Sequence, residues 1–268
     1  MGRTLGVLSA DLAGLMGEQV NDVPDAGNTT SFRSARLKRK PDNYYDDWYG
    51  RFYAGTNVNT SFDISTSEQA DGTINFTPML GKAVDATDLY YLSMEFEPEE
   101  LIRAINRAIE MVEGEALEDL IDESLITATS TFEYVLPIGF SHLEFVYQES
   151  STTNRYSRDS GLIPDHHWRI LRTTPRKLWF DPDLVSLTAG RNLRLVGQRD
   201  AARLTVDTDV SEVSPAFLLQ QAKAFLHQSR IRGAGAEFDE HRSQMGIAQG
   251  LADRERDRIL VTGRGWPV

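Results

Sequence analysis

FEPEELIRAINRAIEMVEGE, residues 96–115, gives the clearest secondary-structure signal of the chain, because its apolar residues recur at the spacing of an α-helix. Pro98 suits the first turn, where its missing N–H costs no hydrogen bond, and the positive end of the helix dipole favours Glu99 and Glu100. Gly114 is the predicted end of the helix. One face carries the apolar residues Leu101, Ile105, Ala108, Ile109 and Val112. The segment therefore predicts an amphipathic helix with one buried face.

Helices are also predicted toward both ends of the chain. Near the N-terminus, with Thr4 as the cap, one helical face carries Leu5, Leu8, Leu12, Leu15 and Met16. In SEVSPAFLLQQAKAFLHQSR, residues 211–230, Ser214 is the predicted cap and Pro215 the first helical residue. The apolar face there is Leu218, Ala222, Phe225 and Leu226. A last helix, from Phe238 to Ile259, has a thin stripe typical of packing on one neighbour: Met245, Ala248, Ala252 and Ile259.

Between these helices, apolar and polar residues alternate as they do in β-strands. TSFDIST (60–66) and GTINFTP (72–78), joined by the turn residues QADG, predict a β-hairpin. Residues 21–60 are polar and are expected to be mostly loop. About six short strands are predicted between 130 and 210, at Phe132, Tyr134 and Leu136; Leu143, Phe145 and Tyr147; Trp168 and Ile170; Leu178 and Phe180; Leu193 and Leu195; Leu204 and Val206.

This order of elements predicts an α+β protein with antiparallel sheets. A small helical bundle is expected from both chain ends, at 1–20, 93–128 and 211–268. Residues 21–92 are expected to form a loop and β-hairpin extension. Residues 129–210 are expected to form an antiparallel β-sandwich or barrel inserted into the bundle.

The composition argues against several classes of function. The chain has 268 residues, with 40 Asp plus Glu against 28 Lys plus Arg, and a formal net charge of -12. This balance disfavours tight binding to phosphate backbones, which requires clustered cations. The absence of cysteine removes thiolate zinc sites, iron–sulfur clusters, cysteine nucleophiles and disulfides. Residues 1–20 lack the apolar run of a signal peptide or membrane span, so we expect cytoplasmic synthesis and no membrane partner.

The histidines of IPDHHWRI, residues 163–170, are the first candidates for a metal or acid–base site. On a strand, however, His166 and His167 would point to opposite faces and could not bind one metal together. His142 has no neighbours at metal-ligand spacing. These residues are therefore interpreted as strand histidines.

The carboxylates and the glycines have similar structural explanations. Glu97, Glu99 and Glu100 are accounted for by the helix dipole. GAGAEFD, residues 233–239, follows a helix and lacks the third glycine of a dinucleotide-binding loop. We therefore predict no enzyme, no cofactor, and no catalytic, cofactor-binding or metal residue.

Several segments, taken in order, resemble the head-to-tail adaptor proteins of tailed bacteriophages, the family that includes the tail tubular protein A of short-tailed phages. They are TLGVLSADLAGLM (4–16), PEELIRAINRAIEMV (98–112) with its Ile-Asn-Arg centre, YVLPIGFSHLEFVY (134–147), LWF (178–180), NLRLVGQ (192–198), VSPAFLLQQAKAFL (213–226) and the charged final helix. The resemblance covers most of the chain and is poorest in residues 21–92 and in the tail GRGWPV (263–268).

The resemblance implies a structural virion protein at the neck, where roughly a dozen copies close a ring by heterologous contacts. Its partners would be other copies of itself, the portal protein, and a tail, tail-terminator or nozzle protein. Genomic DNA would pass through the lumen without sequence-specific binding, and an acidic lumen would let it slide. The candidate assembly surfaces are the exposed faces of helices 98–113 and 238–259, with RLKRK (36–40) and GRGWPV as candidate arms.

Two other classes of function remain open at this point. A tail-tube, tail-terminator or decoration protein would share the β-rich centre. The aromatic segment NYYDDWYGRFY, residues 43–53, would suit a carbohydrate-binding module or glycosidase if its rings were exposed to stack on sugars. The alternative for that segment is a loop whose rings pack on the β unit or on a neighbouring subunit.

Overall fold

The structure, a computed structural model, describes residues 2–17, 19–115, 117–150, 155–156, 161–231 and 236–262. It is a mixed α+β protein with antiparallel sheets, which confirms the predicted class. The chain divides into two compact units. The first combines Met1–Val112 with Ala202–Val268, and the second is Glu113–Ala201.

Four α-helices of the described residues lie in the first unit. They are α1 (Leu5–Met16), α2 (Pro98–Glu110), α3 (Pro215–Arg230) and α4 (Ala236–Thr262). Helix α1 contacts α2 and α3, and α3 also contacts α2 and α4. Thr4 caps α1, with its Oγ1 accepting from the N–H of Val7 at 3.4 Å. The apolar face of α2 is buried as predicted, but α2 ends at Glu110 and a turn leads to Gly114, whose φ is 80°.

A seven-stranded antiparallel sheet lies in the same unit. Its strands are β2 (Gln19–Asp22), β3 (Ala26–Gly27), β4 (Ser31–Arg33), β5 (Tyr49–Ala54), β6 (Thr60–Glu68), β7 (Thr73–Thr77) and β8 (Leu89–Ser93), in the spatial order β2-β8-β5-β6-β7-β4-β3. Strand β1 (Arg3–Thr4) pairs separately with β16 (Val210–Ser211). Five buried rings fill the core of this sheet at centroid distances of 4.6 to 6.5 Å: Phe32, Phe52, Phe62, Phe76 and Tyr90.

The predicted hairpin is confirmed, because β6 pairs with β7 and Ile64 lies opposite Phe76. Residues 21–60 are mostly loop and turn, as expected, but they also contain strand β5, which the sequence pattern did not indicate. Strand β5, YGRFYA, lacks the alternation that marks a strand, for two structural reasons. A Cβ at Gly50 would lie 2.2 Å from the ring of Phe62, and Arg51 is buried in an ion pair. Because Gly50 and Arg51 interrupt the alternation of apolar and polar residues, the sequence pattern does not identify this central strand.

The second unit contains two antiparallel sheets. The four-stranded sheet has the order β12-β11-β15-β9, with β9 (Leu117–Ile126), β11 (His142–Gln148), β12 (Leu162–Ile163) and β15 (Asn192–Asp200). The three-stranded sheet has the order β10-β14-β13, with β10 (Glu133–Val135), β13 (Trp168–Leu171) and β14 (Lys177–Phe180). Their core includes Leu143, Val146, Leu178, Phe180, Leu193 and Leu195.

Two predictions for residues 117–206 are wrong. Leu117–Ile126 was expected within the helical range 93–128, but it forms β9, because pairing with β15 along nearly its whole length decides the backbone conformation. Leu204 and Val206 were expected to form a strand, and they lie in a loop instead. Their N–H groups donate to side chains, that of Leu204 to Asn106 and that of Val206 to Asp209, so they take no part in a sheet.

This loop, Ala202–Asp209, connects α1, α2 and strand β5 of the first unit, and we call it the hub loop. The Asp207 carboxylate is fully buried and accepts from Nε of Arg51 at 3.0 and 3.1 Å and from the N–H of Asn59 at 3.1 Å. Burial raises the pKa of Asp207, and the charge and hydrogen bonds of Arg51 oppose that rise. The carbonyl of Asp207 also accepts from the N–H of Gly6 at 3.0 Å, in the first turn of α1. One residue thus joins α1 to strand β5.

Asn106 makes the corresponding link to α2. Its side chain is buried on the inner face of the helix, donating to the Leu204 carbonyl at 2.9 Å and accepting from the Leu204 N–H at 2.8 Å. A polar residue on a buried helix face is explained by this two-way contact, because both backbone groups of Leu204 would otherwise be buried without partners.

Replacing Asn106 with leucine should therefore lower the free energy of unfolding by about 2–3 kcal/mol, the cost of leaving two buried backbone groups unpaired. Chemical denaturation measures this. Arg103→Leu, at an exposed position of the same helix, is the control and should change stability by less than about 0.5 kcal/mol. Equal stability of the two variants would show that the contact with Leu204 contributes nothing.

Candidate assembly surfaces

The exposed face of α2 is largely engaged within the chain. Glu99 accepts from the Ser61 hydroxyl at 2.6 Å, Glu110 forms an ion pair with Arg203 at 3.4 Å, and the guanidinium of Arg107 lies 4.2 Å from the centroid of the Phe225 ring. These contacts leave only a narrow part of the exposed face of α2 available to a partner. Of the two helices predicted to take part in assembly, α2 is therefore the weaker candidate.

Helix α4 has the opposite character. It packs on α3 through Ala248 and Ala252, which are 2% and 0% exposed, and through a reciprocal amide pair between Gln249 and Gln221 at 3.1 and 3.2 Å. Met245 is half-buried, and the side chain of Ile259 lies outside the described residues. The predicted stripe is thus confirmed at its two alanines.

The outer side of α4 carries a second apolar strip. Ile247 is 57% and Leu251 40% exposed, and they are four residues apart, so they lie one turn apart on the same side. Gly250 and Arg254 lie beside them and are exposed. We call these four residues the helix face.

A second apolar surface lies in the second unit, on the outer side of the four-stranded sheet. Phe145 lies opposite Val196, and Val196 lies opposite Ile121, so the three form one row across β11, β15 and β9. Phe145 is 38% and Ile121 60% exposed, whereas the next residues, Val146 and Leu195, point to the other side and are fully buried. We call Ile121, Phe145 and Val196 the sheet face.

Charges at the two faces are of opposite sign. Asp119 lies on the same side of β9 as Ile121, and Arg254 lies one turn beyond Leu251. Both are exposed, and neither forms an ion pair with any residue that the structure describes. Each face therefore combines apolar side chains with one charged group available to a partner.

The segment RLKRK does not form a free arm. Leu37 is buried in the core of the seven-stranded sheet, Nη1 of Arg36 donates to the Asn21 carbonyl at 3.2 Å, and Nζ of Lys40 lies 2.9 Å from the Tyr44 hydroxyl. The segment forms a short 3-10 turn, Leu37–Arg39. The other candidate arm, GRGWPV, lies outside the described residues.

The candidate chemical sites are not assembled into a metal centre. The interpretation of His166 and His167 as strand histidines is wrong, because both lie in a 3-10 turn, Asp165–His167, and strand β13 begins after them, at Trp168. Within the part of the chain that the structure describes, no group of three or more His, Asp or Glu side chains has the arrangement needed to hold a metal ion.

The aromatic segment 43–53 contributes to the interior. Tyr45 and Trp48 are 3% and 4% exposed, and their ring centroids are 5.1 Å apart within the core of the seven-stranded sheet. Rings buried in this way cannot stack on a sugar. They pack on the seven-stranded sheet of their own unit. The sequence had suggested packing on the β unit at 129–210 or on a neighbouring subunit instead.

No protein-family model matches the chain, and no curated protein matches it either. Among the described residues, no helix has both the length and the apolar character needed to cross a membrane.

A pair of histidines lies between α3 and α4. Nδ1 of His227 is 3.0 Å from Nδ1 of His241, a distance that requires at least one ring to be neutral. Burial lowers the pKa of His227 to about 4, and the charges of Lys223 and His241 act in the same direction. Nε2 of His241 lies 3.9 Å from the Glu95 carboxylate, which also meets Arg230 at 3.5 Å.

Stability should therefore fall in acid. Because the pKa of His227 is lower in the folded chain than its unfolded value of about 6.5, the unfolded chain binds a proton first. The His227 contribution is complete above pH ~6.5 and is lost as the pH falls toward ~4. Between pH ~7.5 and ~5, we expect a loss of about 1–2 kcal/mol.

Urea denaturation at the two pH values measures this loss. His227→Asn should reduce the difference between them, whereas His166→Asn, at a histidine whose side chain is 70% exposed, should leave it unchanged. Equal pH dependence of the wild-type chain and His227→Asn would contradict the assignment.

Proposed function

We propose that this chain is a structural virion protein of a tailed bacteriophage: a head-to-tail adaptor that forms a ring between the portal and the tail and passes DNA through its lumen. The order of the segments within 4–16, 98–147 and 178–226 supports the proposal through their resemblance to that family. The proposal includes the finer architecture expected from the sequence, a helical bundle from both chain ends with an inserted β-sandwich or barrel. The contacts of α3 with α1, α2 and α4 are consistent with such a bundle.

The observation that carries the proposal is the presence of two exposed apolar faces that differ from each other. A two-fold dimer uses the same patch on both subunits, whereas a ring requires two different patches that meet head to tail. The helix face is part of an α-helix and the sheet face is part of a β-sheet, so the two are different patches, as a head-to-tail contact requires. We propose that the helix face of one copy packs on the sheet face of the next.

Charge supports this pairing. Arg254 on the helix face and Asp119 beside the sheet face would bring opposite charges together, whereas pairing either face with its own copy would bring like charges together. The net charge of -12 per copy supports passage of DNA, because an acidic lumen repels the phosphate backbone. A lumen that maps as strongly basic would be inconsistent with this part of the proposal.

The first test is the copy number per purified virion, by quantitative mass spectrometry against the capsid protein. An adaptor ring should give roughly a dozen copies per particle. Hundreds of copies would assign the chain to the tail tube or the shell, and its absence from the particle would reject a structural role.

The second test uses the absence of native cysteine, which makes an introduced pair specific. A chain with both Ile247→Cys and Phe145→Cys should give, after oxidation of assembled particles, a ladder of covalent oligomers. Each single variant alone should give none, and a mixture of the two single variants should stop at covalent dimers.

The matched control combines Ile247→Cys with Met79→Cys, at an exposed apolar residue of the first unit that belongs to neither face. It should give no ladder. A covalent dimer from either single variant would indicate a two-fold contact, and particles without a ladder from the double variant would exclude this pairing of faces.

A further inference from the structure

An open cleft of about 610 Å³ lies in the second unit, against the start of β11 and the hairpin of β13 and β14. Its walls include Leu143, Trp168 and Ile170, which provide apolar surface, and the arginines Arg172 and Arg176. A volume of this size falls in the range of about 300–1,000 Å³ in which proteins bind small ligands.

The polar groups at this cleft are mainly hydrogen-bond donors. Nε1 of Trp168 is buried and has no acceptor within the described residues. Arg172 is exposed and, in the same part of the chain, forms neither an ion pair nor a hydrogen bond. Arg176 donates from Nη2 to the Phe140 carbonyl at 2.6 Å, which leaves its other N–H groups for a further partner. No carboxylate is among the described residues that line the cleft.

Three other arginines of the same unit are paired with acids. Arg155 meets Glu149 at 2.8 Å, and Arg194 meets Glu123 at 2.6 Å. Arg199 meets Glu118 at 2.8 Å. In a chain with a net charge of -12, two guanidinium groups that line one cleft without a carboxylate mark a place where the negative charge is supplied from outside.

We propose that this cleft binds an organic anion, a carboxylate or phosphate carried on an apolar body. Arg172 and Arg176 hold the oxyanion, and Leu143, Ile170 and the ring of Trp168 contact the apolar part. The anion comes either from a free small molecule or from an acidic residue of another chain with a neighbouring aromatic ring. This inference does not depend on the proposed virion role.

The test follows the indole N–H resonance of Trp168 in ¹⁵N NMR spectra, which Trp168→Phe assigns among the 4 tryptophans of the chain. The probes are phenylacetate and phenyl phosphate, with benzyl alcohol for the apolar body without charge and inorganic phosphate for the charge without the body. The two aromatic anions should shift the resonance and bind about tenfold more tightly than benzyl alcohol or phosphate. Equal binding of benzyl alcohol would overturn the proposal.

Arg172→Ala is the decisive variant, because Arg172 has no contact in the described structure that the fold requires. It should weaken binding of the aromatic anions about tenfold. Arg103→Ala, at an exposed arginine of α2, is the control and should leave binding unchanged. Unchanged binding in Arg172→Ala would reject the assigned role of the arginine.

A blocked dipeptide, acetyl-Phe-Asp-amide, separates the two sources of the anion. Tighter binding of the dipeptide than of phenylacetate would support a chain-borne ligand, and tighter binding of phenylacetate would support a free small molecule. If none of the probes binds, the cleft is not an anion site.

Discussion

The buried contact between Arg51 and Asp207 is the constraint on which the first unit depends. An unpaired carboxylate at this depth would cost several kcal/mol, so the hub loop must return to strand β5 whenever the sheet is formed. The same loop caps α1 through the Asp207 carbonyl and holds α2 through Asn106. Elements far apart in sequence are thus fixed by the polar contacts of one short loop.

The sequence was sufficient for those parts of the fold whose pattern is local. The helix 98–110 has its proline, its acidic first turn and its apolar face within one segment, and the hairpin of β6 and β7 has its own turn residues. The sequence did not predict strands β5 and β9, because the residues that stabilise each of them lie far away in the chain. Arg51 is acceptable in a central strand only because Asp207 is near it, and β9 becomes a strand by pairing with β15, about seventy residues away.

The same distinction explains which candidate surfaces were foreseen. The face of α4 could be predicted, since residues three and four apart on a helix are neighbours in any fold. The sheet face could not, because Ile121, Phe145 and Val196 meet only through the registers of three strands. The cleft also depends on tertiary structure, bringing Arg172 and Arg176 of one hairpin to the start of β11. RLKRK does not form the candidate arm, because the burial of a single residue, Leu37, fixes it to the sheet.

Helix α4 is constructed with its small residues inward and its large apolar residues outward. Ala248 and Ala252 allow close approach to α3, whereas Ile247 and Leu251 remain in contact with water, although burying each would contribute about 1.5–3 kcal/mol. Gly250 lies beside them and costs the helix about 1 kcal/mol relative to alanine, and no atom of the described residues lies within 4 Å of the place where its Cβ would be. Packing among the described residues accounts for neither feature. A neighbouring surface that covers Ile247 and Leu251 and approaches the backbone at Gly250 accounts for both.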